Sequence, residues 1–360
     1  MSETKKIKVA FAGVGKIGQV AHLKNYATLP DCEVVSLCEI REDLRIKVAA
    51  RYGVPRVYNN IEEMVDAGGF DAVVASQPFF RHAQLIPPLL KAKVPLFTEK
   101  PLASSIESGE KILKALEESG TWHMVGYNRR SDPAVMYAKA EIERLKETQE
   151  LGPLTYIRIL MPGGDWIAGG FSDLIRSEQK VKDLDLERDP PASDLNWCAF
   201  RWYQMMIDYY IHPINLMRHM LGEPYALTYV SPSRGIMAGS SDSGVACLIE
   251  MTPFHTTIDW QETVLVCFKR GWIKIEIPAS LAVNKPGRIT LYRDPGGGII
   301  PQTIEPQLPW IGSMRQQAIN FIRAVKGEIE PLCNAAEAFE DLKIAREYIR
   351  MRMEQMDLEE

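Results

Sequence analysis

Near the start of the chain, Gly13-Val14-Gly15-Lys16-Ile17-Gly18 stands between a short apolar run, Ile7 to Ala12, and an amphipathic stretch, Gly18 to Ala27. A strand that enters a helix through G-x-G-x-x-G uses each glycine differently. One makes the tight turn, one bares the backbone to a pyrophosphate, and one lets the helix pack close to the strand. The helix N-terminus then presents N–H groups and a positive dipole end to phosphate. A glycine turn that binds nothing is the plain alternative, and the flanking strand and helix argue against it. Gly13, Gly15, Lys16, Ile17 and Gly18 are therefore expected to bind a dinucleotide.

Glu39 follows about 20 residues later at the end of the next apolar run, where a carboxylate accepts hydrogen bonds from an adenosine ribose. A solvated loop acid beside Glu42 and Asp43 is the competing reading. Arg41 adds a second possibility, a partner for a 2′-phosphate or a plate for adenine.

Up to about residue 125, apolar strand runs alternate with helical patterns. The strands are Ile7 to Ala12, Val34 to Cys38, Ala72 to Ala75, Val94 to Phe97 and His123 to Val125. Helices are expected over Gly18 to Ala27, Asp43 to Tyr52, Ile61 to Ala67, Ala83 to Lys91 and Ile106 to Ser119. Near-continuous apolar strands separated by helices predict a doubly wound α/β domain with a parallel sheet. After residue 130 come a helix (Ala134 to Glu147), a strand (Leu154 to Leu160), the loop "MPGGDWIAGG", and an irregular polar stretch, Ser172 to Asp194. A helix over Ile207 to Leu221 precedes strand runs that follow one another without helices, including Thr256 to Gln261. This predicts a mainly antiparallel, open-faced sheet in a C-terminal α/β domain. The expected division is 1–126 and 127–360.

With 360 residues and 46% hydrophobic content, the chain is large enough for two cores. A net charge of -5 and scattered Lys and Arg argue against nucleic-acid and anionic-membrane partners. Met1 to Lys8 lacks the pattern of a secretory leader, and no apolar run approaches the ~20 residues of a membrane span. The six cysteines are far apart, so reduced thiols, a cytoplasmic setting and no metal site are expected.

At the carboxyl ends of strands, where open α/β sheets bind ligands, stand Gln77 and Pro78, with His82 close behind, and Glu99 and Lys100. The series "AGVGKIG", "SQPFFRHA" (76–83), "TEKPLA" (98–103), "GYNRR" (126–130) and "DYYIH" (208–212) resembles, over essentially the whole chain, the Gfo/Idh/MocA family of sugar and polyol oxidoreductases. The resemblance implies a Rossmann domain followed by an open-faced α/β domain, with the active site between them. It implies Lys100, Asp208 and His212 around the reacting carbon, with Lys100 also close to the nicotinamide end of the cofactor, and Gln77, Pro78, His82 and Glu99 along the cofactor groove. It also implies NAD, a small-molecule sugar, glycoside or polyol substrate, and a homodimer or homotetramer. Asp208 and His212, four apart, share a face if helical, and a carboxylate there orients an imidazole base. A surface pair or a locally satisfied histidine is the bland alternative.

Substrate contacts are expected from Asn128, Arg129, Asp165, Trp166 and Asn215. Asn215 falls where the family often has an aspartate. The chain departs from the pattern at Tyr210, usually a small residue, at "RWYQ" (201–204), often a glycine-rich run, and at Ser131. Pro213 removes an N–H and predicts a bend after His212. Two other functions fit the same features: a glycosidase that keeps NAD bound and oxidises its sugar transiently, and a non-catalytic dinucleotide sensor.

Overall fold

A computed structural model of the chain describes residues 6–180, 186–232 and 235–357. Residues 181–185, within the stretch expected to be irregular, lie outside it. The first six strands are β1 (Ile7–Ala12), β2 (Cys32–Cys38), β3 (Arg56–Tyr58), β4 (Ala72–Ala75), β5 (Leu96–Glu99) and β6 (His123–Gly126). They pair in parallel in the order β3-β2-β1-β4-β5-β6. The order reverses between β1 and β4, which puts the glycine loop and the Gln77 turn beside each other at the switch point.

The connecting helices are α1 (Lys24–Tyr26), α2 (Glu42–Tyr52), α3 (Ile61–Ala67), α4 (His82–Leu90) and α5 (Ile106–Ser119). Their ends follow local chemistry. Asn60 caps α3 by accepting the Glu63 N–H, Ser105 caps α5 by accepting that of Ser108, and Gly53 and Gly120 close helices in the left-handed region. Lys24–Tyr26 continues a π-helical turn, Gly18–Leu23. The expected helix is present, but its first turns are wider than an α-helix.

The second sheet contains β7 (Leu154–Gly163), β8 (Tyr225–Val230), β9 (Ile236–Ser241), β10 (Ala246–His255), β11 (Glu262–Phe268), β12 (Gly271–Ile277), β13 (Arg288–Arg293) and β14 (Gln302–Ile304). Its order is β14-β13-β12-β11-β7-β10-β9-β8, antiparallel except for β7 with β10. Helices α6 (Pro133–Thr148), α7 (Trp197–Met205), α8 (Ile211–Leu221), α9 (Ser313–Val325) and α10 (Ala335–Asp357) complete the chain. One sheet face buries Val264, Val266, Ile273 and Ile275 beneath α6 and α8. The other carries half-exposed residues such as Arg158, Glu250, Trp272 and Tyr292.

Several local expectations change. Residues 256–261 bend instead of forming a strand, because β10 already runs to His255 through an irregular register at Thr252, whose φ is +50°. The short strands β3, β9 and β14 and helix α7 have no clean sequence period and were not expected. The division of the chain also differs. Residues 1–127, 170–196 and 317–342 form one compact unit, and 128–169, 197–316 and 343–360 the other. A boundary at 126/127 assigns the two later segments to the wrong unit. Ala318, Phe321 and Ile322 belong to the first core with Phe11, Tyr26 and Phe97, a return of the chain that no local pattern announces.

Candidate functional site

The glycine loop meets the steric requirements separately at each glycine. Gly13 has φ +90°, and a Cβ there would lie 2.6 Å from Ser76 O and 2.8 Å from Gln77 Nε2. A Cβ at Gly18 would lie 2.6 Å from Gly13 O. At Gly15 nothing is closer than Arg41 Nη2, at 3.6 Å, so its backbone stays open to approach. The chain is helical from residue 16, and the Gln19 N–H donates to Gly15 O at 3.0 Å. Turn, bare backbone and helix N-terminus together fit a dinucleotide pyrophosphate. Lys16 and Ile17 form the helix start.

Glu39 is buried and fully engaged. Its carboxylate accepts Arg41 Nε at 2.8 Å, Arg41 Nη2 at 3.0 Å, and the backbone N–H groups of Val14 and Arg41 at 3.2 Å. The acid expected to meet a ribose is thus tied to the glycine loop on one side and to Arg41 on the other.

His82 is expected along the cofactor groove. It is 1% exposed, and its ring nitrogens face Leu102 O at 3.0 Å and Gln77 O at 3.2 Å. Burial holds its pKa below the usual histidine value. The ring braces the Gln77-Pro78 turn against the turn after Lys100 from behind.

Glu99 is the last residue of β5 rather than a residue beyond it. Its Oε1 accepts the His22 imidazole at 2.6 Å, and its Oε2 accepts the Lys100 backbone N–H at 3.2 Å. Burial favours the protonated acid, but the His22 hydrogen bond and the neighbouring Lys100 outweigh it and hold the pKa below the usual carboxylate value. Sequence reasoning missed His22. The available signal was a histidine one turn into the helix after the glycine loop. The segment from residue 170 was also missed. Ile175 exchanges two 3.1 Å hydrogen bonds with the Gln19 amide, and Asp43 accepts Ser177 Oγ at 2.6 Å and Glu178 N at 3.0 Å.

In the second unit, Asp208 is exposed and lies in a π-helical turn, Met206–Tyr210, while half-buried His212 lies in α8. A π turn closes i→i+5, so a residue four further on stops just short of one revolution and still faces the same side. Pro213 stands three residues into α8 and cannot donate back, so the widened turn, not a simple bend, precedes it. Tyr210, where a small residue was expected, hydrogen-bonds Thr252 Oγ1 at 2.5 Å, and Tyr209 donates to Pro162 O at 3.2 Å.

The expected substrate contacts are mostly engaged within the protein. Arg129 is 4% exposed and donates through Nε and Nη2 to Glu262, at 2.9 Å for the shortest contact, and through Nη1 to Asn128 and Ser280. Trp260 Nε1 also donates to Glu262, at 3.0 Å. Asn128 donates to Ser313 Oγ at 3.0 Å, and buried Asn215 accepts Arg130 Nε at 2.8 Å. Asp165 Oδ1 accepts the N–H groups of Ile167 and Ala168, which folds its own loop. Trp166 is half-buried. A cavity of about 530 Å³ in this unit, lined by Leu160, Trp260, Glu262, Lys274, Lys285 and Arg288 among others, includes none of the predicted residues. No helix among the described residues is long and apolar enough to cross a membrane, and none of their His, Cys, Asp and Glu side chains cluster as a metal site.

Residues 7–127 match the family model described as "Oxidoreductase family, NAD-binding Rossmann fold". A myo-inositol 2-dehydrogenase of Thermotoga maritima is 23% identical over 217 residues, covering 60% of this chain and 55% of that protein. The matched stretches span about half the length of the first curated relatives. An aldose–aldose oxidoreductase from Caulobacter crescentus, solved with glycerol, superposes with a TM-score of 0.71 at 16% identity over 98% of both chains. A levoglucosan dehydrogenase solved with NADH and levoglucosan gives 0.70 at 19%, covering 97% of this chain and 98% of that one. At these identities the two structures establish likeness of fold.

Proposed function

We propose that this chain, whose residues 7–127 match the oxidoreductase family with an NAD-binding Rossmann fold, is an NAD-dependent dehydrogenase of the Gfo/Idh/MocA family acting on a secondary alcohol of a sugar, glycoside or polyol. The observation that carries this reading is the pairing of a sterically competent glycine loop with Lys100 at the carboxyl end of β5, its backbone held by Glu99. The glycine loop and the helix behind it bind the pyrophosphate, and Glu39 with Arg41 takes the adenosine end.

Bound NAD supplies the hydride acceptor. His212, oriented by Asp208, takes the hydroxyl proton, since a histidine accepts protons near neutral pH. Lys100 acts as a charged donor to the same oxygen and stabilises the negative charge that develops on it. A lysine is protonated at neutral pH, and neutralising it there costs about 4.6 kcal/mol, so it is the donor and not the base. Trp166 offers a plate for a sugar's apolar face. Arg129 and Asn128 shape the pocket through their buried network. The half-exposed face of the second sheet is covered by a second copy in a homodimer or homotetramer, and the protein works in the cytoplasm.

The test is a screen of the purified protein against sugars, inositols and glycosides, with NADH absorbance and released aglycone followed together. NADH formation with a simple sugar or polyol is the expected result. Redox-neutral glycoside cleavage, or no turnover with bound dinucleotide, overturns the reading.

A further inference from the structure

His22 is a buried titratable residue that the chemistry above leaves without a role. It sits in the π-helical turn that begins at Gly18, the last glycine of the loop. Its ring is fixed edge-on to Phe97, with centroids 5.2 Å apart at 62°. Phe97 lies two residues before Glu99 on β5, so a single strand end both clamps the imidazole and receives its hydrogen bond. A half-buried carboxylate is best held by donors on both oxygens, and Glu99 has two on different parts of the chain: the imidazole, and the N–H of the residue that follows it. The wide turn matters here, because in a π-helix a side chain is displaced around the axis relative to its α-helical place.

We propose that His22 is a positioning residue for Lys100: from the helix that opens at the glycine loop it pins Glu99 Oε1, and Glu99 Oε2 in turn fixes the Lys100 backbone. The inference rests on the reading of Lys100 as the donor to the reacting oxygen. Its consequence is that the pyrophosphate loop and the Lys100 peptide are joined through one side-chain bridge, so misplacing the bridge should slow chemistry without releasing the cofactor. Misplacement of a catalytic group by about 1 Å costs up to ~10²-fold in rate.

Three variants decide it: His22→Ala, His22→Gln, which keeps an N–H donor of similar reach, and Lys100→Met. NADH affinity is read by fluorescence titration, turnover by NADH formation with the best substrate of the screen, and the primary deuterium isotope effect on kcat with the labelled alcohol. In cofactor-free protein, acetylation of Lys100 relative to exposed Lys111 is read by peptide mass. Expected are unchanged NADH affinity throughout and a kcat about 10- to 100-fold lower in His22→Ala. That variant should also show a larger isotope effect and faster Lys100 acetylation, and all three changes should be largely reversed in His22→Gln. If His22→Ala does not fold, the same readouts in Glu99→Gln against His22→Gln decide, with the loss expected only in the former. Unchanged kcat in His22→Ala, unchanged Lys100 acetylation, or loss of NADH binding together with turnover overturns the proposal. Lys100→Met separates the two levels. Normal turnover in that variant removes the reading of Lys100 itself, and the bridge with it. An inactive Lys100→Met beside a normal His22→Ala removes the bridge alone.

Discussion

Arg41 closes both arms of its guanidinium on the Glu39 carboxylate, Nε at 2.8 Å from one oxygen and Nη2 at 3.0 Å from the other. The acid that would repel a 2′-phosphate therefore carries its own counter-charge. Two like charges ~4 Å apart cost roughly 1 kcal/mol in water and ~4 at an intermediate dielectric, or very roughly fivefold to several-hundredfold discrimination. We expect NAD to be preferred over NADP within that range, with Arg41 reducing the gap. Arg41→Ala should widen the ratio of kcat/KM values for the two cofactors, and Glu39→Gln should narrow it. An NADP preference in the native protein places Glu39 elsewhere.

Removing either proposed acid–base group should act on turnover and spare the cofactor. Lys100→Met and His212→Ala are each expected to lower kcat by about 10²-fold or more, with NADH affinity retained because the glycine loop is untouched. The acidic limb of the rate profile for alcohol oxidation should disappear in His212→Ala. Near-normal turnover in either variant sinks the assignment.

Buried ion pairs are most costly when broken on one side. Glu262 is 0% exposed and receives Arg129 and Trp260. Arg129→Met should therefore destabilise the protein by about 3–5 kcal/mol, read from urea unfolding. The double variant Arg129→Met/Glu262→Leu should recover part of this, since no orphaned charge remains. Equal stability of native and single variant would show that the pair is not buried in solution.

Acid should weaken the fold well above the pH at which carboxylates titrate. His82, His123 and His219 are held neutral by burial, His123 with a pKa lowered to about 3. Below ~6.5 the unfolded chain binds a proton at each that the folded chain refuses, so stability present above that pH is lost as pH falls. Asp132 works the other way. Burial raises its pKa to about 6, so from about 6 down to its unfolded value the folded chain holds a proton that the unfolded chain releases. The three buried histidines outnumber this single opposing carboxyl, so stability should fall as pH drops from 7 towards 5. Urea unfolding at several pH values between 7 and 5 measures the slope, and a flat or inverted profile contradicts it.

What the sequence made legible were features whose causes are local in the chain. Gly13, Gly15 and Gly18 declare their turn by spacing, and apolar strand runs between helical periods declare a parallel sheet. Asp208 and His212 are four apart across a change of helix type, from a π-helical turn into α8, which no local pattern announces. His22 was invisible because its partner is far along the chain and a π turn has no compositional mark. Asn128 and Arg129 read as substrate contacts because polar residues after a strand end usually face solvent, and Asn215 because it falls where the family often has an aspartate. Here the chain after β6 turns inward: Arg129 bonds Asn128, Ser280 and Glu262, and Asn215 accepts Arg130.

Phe321 packs edge-on against Tyr26, Phe97 and Trp122 in the core of the first unit. That core is therefore missing its central ring while the rest of the unit's strands have already left the ribosome. Translation at ~5–20 residues per second leaves an interval of roughly ten to forty seconds before Phe321 emerges. During that time Tyr26, Phe97 and Trp122 lack the ring that packs against them. A truncation ending before residue 317 should therefore yield insoluble protein even though it keeps every strand described in both sheets.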